Sequence, residues 1–107
     1  MTKVTVNPGV CGFIATIEID KIDKKKLSCT IKSDCQLVAA LAASLTEIDK
    51  FDALRPKDQS GLHQTLAQQQ MHMACPVPVG ILKAVEVEAG LALPRDVSIH
   101  FEVVEEG

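Results

Sequence analysis

The chain has 107 residues, a formal net charge of −3 at pH 7 and a hydrophobic fraction of 47%. This balance is that of an ordinary globular protein and excludes disorder of the whole chain. An acidic net charge with only 3% aromatic residues argues against a nucleic-acid-binding surface. No apolar run approaches the length of a membrane span, and the first residues lack the apolar stretch of a signal peptide. We therefore expect one cytoplasmic domain over residues 1–107, without a membrane segment.

Alternating apolar and polar residues in the first third of the chain predict three strands. Residues 2–6 are a short β-prone run, and Asn7-Pro8-Gly9 is a typical turn sequence. Residues 13–19 and 27–31 alternate more clearly, and the charged residues 20–26 connect them. The sequence therefore predicts an antiparallel meander, in which Phe13, Ala15, Ile17 and Ile19 share one apolar face.

Helical spacing then predicts three helices and a last strand. The first helix begins near Ser33, because Ser33 and Gln36 match a capping box, and the second covers about 58–71. The third starts at Pro78 and ends at Gly90, and residues 97–103 alternate as a strand. The predicted fold is α+β, with a mainly antiparallel four-stranded sheet in the order β-β-β-α-α-α-β and helices packed on one face. The apolar face of the first helix is expected to hold Leu37, Val38, Leu41, Leu45 and Ile48.

Four cysteines are the most informative residues for function. A cytosolic chain keeps such thiols reduced, and no two cysteines are spaced as in a zinc knuckle. Cys29 alternates with Leu27 and Ile31 and is therefore expected in the core. The other three, Cys11, Cys35 and Cys75, lie in turns or at predicted helix starts.

The meander predicts that these three cysteines share one end of the sheet. Cys11 follows the turn between strands one and two, and Cys35 follows strand three, which ends at the same edge. Cys75 precedes helix three, which begins at this end if the last strand runs parallel to strand one. Helix N-termini favour thiolates, and Pro76 and Pro78 stiffen the backbone after Cys75. His72 lies close enough in sequence to be a fourth ligand.

The leading hypothesis is a small protein that binds a soft metal ion or an iron–sulfur cluster. Thiolates select zinc, copper(I) or iron–sulfur centres, and the predicted ligands are Cys11, Cys35, Cys75 and His72. Such a protein would exchange metal or cluster with a donor or acceptor protein, and a homodimer is left open. One alternative is a thiol-redox enzyme with Cys75 as nucleophile and Cys35 as resolving thiol. The other is an interaction module whose cysteines only pack.

Two resemblances to known families add to this reading. The stretches NPGVCGF, SDC and HMACPVPVGILKAVEVEAGLALP resemble a family of small uncharacterised proteins from anaerobic prokaryotes, which implies no particular activity. Locally, Cys35 and the Cys75-Pro76 step resemble the paired reactive cysteines of the OsmC/Ohr hydroperoxide reductases. That second resemblance implies peroxide reduction through Cys75 and Cys35. The chain has no match for the catalytic arginine of those enzymes.

Overall fold

A computed structural model describes residues 1–105 of the chain. Four antiparallel strands form one sheet, and α-helices pack on it, as the predicted α+β class requires. No helix within the described residues is both long and apolar enough to cross a membrane. The strands, in sheet order, are β1 (Thr2–Val6), β2 (Ala15–Lys21), β3 (Lys26–Ser33) and β4 (Glu47–Asp49), and the helices are α1 (Gln36–Ser44), α2 (Gly61–Gln68) and α3 (Val77–Glu88).

The sheet has one apolar face, and the register of its strands explains why. Val4 faces Ile17, and Ile17 faces Ile31, so the alternating apolar residues of three strands align on the same side. Helix α1 covers this face over β3, while α3 covers it over β1 and β2. The predicted meander is therefore confirmed. The largest fully buried side chains are Ile17, Ile19, Leu27, Leu41, Ile81, Val38, Val77 and Val85.

Helix α3 lies unusually close to the sheet because Gly80 has no side chain. A Cβ at Gly80 would lie 2.6 Å from Cγ2 of Val6 and 3.3 Å from Cδ1 of Ile17. At its other end, Thr2 Oγ1 donates a 2.7 Å hydrogen bond to Glu88 Oε1. Helix α3 therefore begins beside the Val6 end of β1 and ends beside its Thr2 end, opposite in direction to β1.

The order of elements differs from the prediction in the fourth strand. Helix α1 ends at Ser44, and the chain then forms β4, in which Ile48 is buried opposite Leu27. The observed order is β-β-β-α-β-α-α, with two short 3₁₀ turns between β4 and α2. Placing Ile48 on the first helix was wrong. Ile48 lies at helical spacing from Leu41 and Leu45 in the sequence, but a buried strand residue that packs in the same core can have this spacing too.

The helix starts also differ in detail. Cys35, rather than Ser33, is the N-cap of α1, and Ser33 Oγ instead accepts a 3.2 Å hydrogen bond from the Cys35 N–H. Helix α2 begins after Ser60, whose buried hydroxyl accepts from the His63 N–H at 3.1 Å, so it is shorter than predicted. Helix α3 begins at Val77 with a proline in its first turn, as predicted from Pro78.

The predicted last strand is absent from the described structure. Helix α3 ends in a Schellman motif, in which the Leu91 N–H donates to Glu86 C=O and the Gly90 N–H to Val87 C=O. Gly90 has a positive φ of 79°, the left-handed conformation that this motif requires. Residues 97–103 then pair with no strand of the described chain, so the strand prediction is wrong.

Candidate functional site

Three cysteines lie at one end of the sheet, which we call the cysteine end. Val6 pairs with Ala15, and Ala15 pairs with Ser33, so the β1–β2 turn and the end of β3 lie side by side. This confirms the predicted neighbourhood of the segments that carry Cys11 and Cys35. Helix α3 begins at the same end, because Gly80 lies against Val6. Cys75 is therefore also at this end, although the parallel last strand from which this was predicted does not form.

Backbone hydrogen bonds fix the local geometry around these cysteines. The Gly12 N–H donates to Gly9 C=O at 3.0 Å, which closes the turn that holds the exposed Cys11. The Cys75 N–H donates to His72 C=O at 3.0 Å, so His72 and Cys75 lie in one tight turn before α3. Cys11 is exposed, and Cys35 and Cys75 are half-buried.

The cysteine end does not form a metal-ion cluster. Over residues 1–105, no three His, Cys, Asp or Glu side chains are grouped closely enough to hold a metal ion. The predicted ligands Cys11, Cys35, Cys75 and His72 thus share an end of the fold without converging on one point. A shared end brings backbones near one another, whereas metal ligation requires sulfur atoms about 2.3 Å from a common ion.

Cys29 differs from the other three cysteines because it belongs to the core. Its side chain is 4% exposed and lies among the apolar residues of β2 and β3, as the alternation predicts. Burial raises the pKa of the Cys29 thiol to about 11, since a thiolate is poorly solvated in the protein interior. Cys29 is therefore a neutral packing residue at physiological pH.

A second feature lies after α3, in residues 93–105, which we call the 93–105 segment. Every residue of this segment is exposed. Val97, Ile99, Phe101 and Val103 are 56%, 77%, 93% and 92% exposed, although they alternate with polar residues like a half-buried strand. Within the described chain, the only backbone hydrogen bond of the 93–105 segment joins the Arg95 N–H to Leu93 C=O, inside the segment itself.

The outer edge of β1 is an unoccupied strand edge in the described structure. β1 pairs only with β2, so half of its backbone N–H and C=O groups face outward. Its apolar residues Val4 and Val6 are only half-buried, whereas their partners Ile17 and Ala15 on β2 are 0% exposed. The apolar face of the sheet is therefore left incomplete at this edge.

The opposite edge of the sheet is better covered. β4 pairs with Lys26, Leu27 and Ser28 of β3, and the Cys29 N–H donates to Thr46 C=O at 2.9 Å. The outer edge of β4 spans three residues, and the last part of β3 is open beside a wide surface depression of about 470 Å³. The depression is lined by Ile14, Ile31, Lys32, Ser33, Asp34, Ala39 and Ala42.

Together, the fold and these features define a small α+β sheet-and-helix protein that carries an open strand edge and an unpaired strand-like segment. The chain belongs to DUF6951, a family of unknown function, whose profile matches residues 2–101. This match is consistent with the predicted resemblance to an uncharacterised family, and it gives no support to an origin in anaerobes or to a likeness to OsmC/Ohr proteins. No curated protein and no solved structure matches the chain. The family match includes the alternating residues up to Phe101.

Proposed function

We propose that this protein is an interaction module whose 93–105 segment pairs as a β-strand with the exposed sheet edge of a polypeptide partner. The observation that carries the proposal is the exposure of Val97, Ile99, Phe101 and Val103 on a segment without backbone partners in the rest of the described chain. Strand addition would provide hydrogen-bond partners for the backbone and cover for the apolar side chains. Main-chain hydrogen bonds give affinity, and alternate side chains pack on apolar surface of the partner.

The energetics set a condition on such pairing. Complete burial of one valine, isoleucine or phenylalanine side chain contributes about 1.5–3 kcal/mol. Ordering the backbone opposes this by about 1–2 kcal/mol per residue, so the segment gains from pairing only if its backbone and side chains find partners together. An apolar strand left open is also an aggregation hazard that folded proteins normally cover.

A triple substitution tests whether the segment serves binding rather than the fold of one chain. Ile99→Ser, Phe101→Ser and Val103→Ser together should leave the unfolding temperature of a single copy unchanged within about 2 °C, because these side chains are 77%, 93% and 92% exposed. Ile81→Ser is the control, since Ile81 is 0% exposed and its replacement should unfold or strongly destabilise the protein. Loss of folding in the triple variant would contradict the proposal, because the segment would then be a strand of its own domain.

Soft-metal binding and thiol-redox chemistry at the cysteine end stay predictions. The common location of Cys11, Cys35 and Cys75 supports them, and zinc or an iron–sulfur cluster would be the cofactor in the first case. Elemental analysis of anaerobically purified protein, together with a count of reactive thiols, tests both. Stoichiometric zinc or iron would support binding, and its loss in Cys75→Ser but not in Cys29→Ala would assign the ligand. Metal-free protein that forms a Cys35–Cys75 disulfide with peroxide would support the redox alternative.

A further inference from the structure

We infer that the partner is a second copy of this chain, and that the 93–105 segment of each copy adds to the outer edge of β1 in the other. This inference rests on the proposed function and names its partner. It is carried by three observations: the incomplete edge at β1, the match between the side chains of β1 and those of the segment, and the direction in which α3 delivers the chain.

The edge of β1 offers the best docking position on the described sheet. It is open along all five residues of β1, and Val4 and Val6 stand half-buried at the margin of the core. An added strand would cover both valines and extend the apolar face that α3 already covers over β1. The other edge is shorter, because the edge strand β4 has only three residues and occupies Lys26 to Ser28 of β3.

One antiparallel register matches β1 and the segment residue by residue. With Val4 opposite Phe101, Val6 lies opposite Ile99, and all four side chains point to the apolar face. On the polar face, Lys3 then lies opposite Glu102. Lys3 already faces Glu18 on β2, so the added strand would place its ammonium between two carboxylates. The pairing would also continue the purely antiparallel pattern of the sheet.

Neighbouring registers fit less well. A shift by two residues in either direction places His100 or Val104 opposite Lys3, and the ion pair is lost. A parallel alignment that keeps Lys3 opposite Glu102 places Glu105 opposite Val6. Placing a carboxylate on the apolar face is costly, so the Lys3–Glu102 pair is compatible with the antiparallel register and not with the parallel one.

The direction of α3 favours a second copy over the chain's own β1. Helix α3 ends beside Thr2, where Glu88 accepts the Thr2 hydroxyl hydrogen bond. In the antiparallel register, the segment must instead begin near the Val6 end of β1. Within one chain, residues 89–96 would have to return along the whole strand, whereas the structure carries the segment away from the body. The molecule accordingly extends 57 Å in one direction and 29 Å and 27 Å in the others.

Reciprocal exchange between two copies closes the assembly. Each copy gives one segment and receives one at β1, so a two-fold symmetric dimer uses both edges and leaves no β1 edge open for a third copy. Every contact occurs twice in such a dimer. A substitution in the register therefore acts on the dissociation constant through two sites.

Light scattering on the full chain and on variants of β1 and of the 93–105 segment tests this inference. We expect a dimer for the natural chain and a monomer for Phe101→Asp, which removes an apolar contact in both exchanged strands. Glu102→Lys should weaken the dimer on the order of tenfold through repulsion with Lys3, and Lys3→Glu combined with Glu102→Lys should recover most of that loss. Glu105→Lys is the matched control, because the same charge change falls beyond the paired residues. A dimer that tolerates Phe101→Asp would overturn the inference, as would a growing series of polymers.

Amide hydrogen exchange separates failure of this inference from failure of the proposed function. In the dimer, amides of residues 97–103 should be protected, and Phe101→Asp should remove that protection. A monomer with unprotected amides would overturn only the second copy as partner, because the segment would still be available to another polypeptide. A monomer with protected amides would overturn the proposed function as well, since the segment would then pair within its own chain.

Discussion

Strand β2 and residues 97–103 have the same sequence pattern and opposite surroundings. In β2, Ala15, Ile17 and Ile19 alternate with polar residues and are all 0% exposed. In the second stretch, Ile99 and Phe101 alternate in the same way and are 77% and 93% exposed. β2 lies between two strands and under α3, whereas residues 97–103 have neither neighbour in the described chain.

This difference separates two kinds of information in a strand sequence. Alternation specifies that one face is to be apolar, but it does not specify which strand or helix covers that face. For β2, the short turns of the meander place the partners beside it. For residues 97–103, the chain turns at the Schellman motif after α3 and pairs with no strand within the described residues, and the proposed dimer would supply the covering strand from the second copy.

The comparison is tested most strongly by a pair of isoleucine truncations. Ile17→Ala should destabilise a single copy by about 2–5 kcal/mol, because it leaves a cavity in a fully buried position. Ile99→Ala should change the same free energy of unfolding by less than about 0.5 kcal/mol, since its side chain is exposed. Urea denaturation, at a concentration where light scattering gives the mass of one chain, measures both. Equal losses would show that residues 97–103 are part of the core.

Gly80→Ala is expected to have the next largest effect. The new Cβ would meet Cγ2 of Val6 at 2.6 Å, so α3 must shift away from β1, at a cost of about 1–3 kcal/mol that exceeds the gain in helix propensity. Gly61→Ala is the matched control, because its Cβ would meet only Asp52 Oδ2 at an ordinary 3.6 Å. Thermal unfolding of the two variants measures the difference. A Gly80→Ala protein as stable as the Gly61→Ala protein would contradict the close packing of α3 on β1.

Cys29→Ala should have a smaller effect, on the order of 1 kcal/mol, through the loss of a small buried group. The variant should keep the thiol reactivity of the natural chain, because Cys29 is inaccessible to reagent in the folded state. Unfolding curves and a thiol titration in native buffer measure both properties. Loss of one rapidly reacting thiol in Cys29→Ala would show that Cys29 is not a core residue.

The smallest effect is the response of stability to alkaline pH. The pKa of Cys29 is raised by burial to about 11 in the folded state, from an ordinary value of 9.0. As pH rises, the unfolded chain therefore loses this proton before the folded chain does. The stabilisation that comes from the neutral Cys29 thiol is complete below pH 9 and is lost as pH rises towards 11. Between pH 8 and 9.5, the natural chain should lose up to about 1 kcal/mol more stability than Cys29→Ala. Parallel pH dependences of the two proteins would contradict a buried neutral thiol.

Much of the sheet-and-helix body could be predicted from sequence because its signals are local. β2 and β3 follow from alternation, α3 from Pro78 and Gly90, and Cys29 from its place between Leu27 and Ile31. β4 could not be predicted, since its three residues contain a single buried side chain, and a pattern that short has no period.

The candidate site was less predictable because it depends on distances between elements. Strand directions correctly brought the segments of Cys11 and Cys35 to one end of the sheet. They carry no information on side-chain separations, and no metal cluster forms within the described residues. The unpaired state of residues 97–103 could not be predicted either, because the same alternating sequence is compatible with a paired and with an unpaired strand.

The most direct test of the account is an isotope-filtered NMR experiment on a mixed sample of labelled and unlabelled chains. Exchange of strands predicts nuclear Overhauser contacts between backbone protons of Thr5 in one copy and His100 in the other, together with contacts from Val4 to Phe101. These contacts should disappear in Phe101→Asp, while the contacts between Ile17 and Ile31 within each chain persist. Contacts of Thr5 with His100 confined to a single chain, or a complete absence of contacts from residues 97–103, would contradict the exchange.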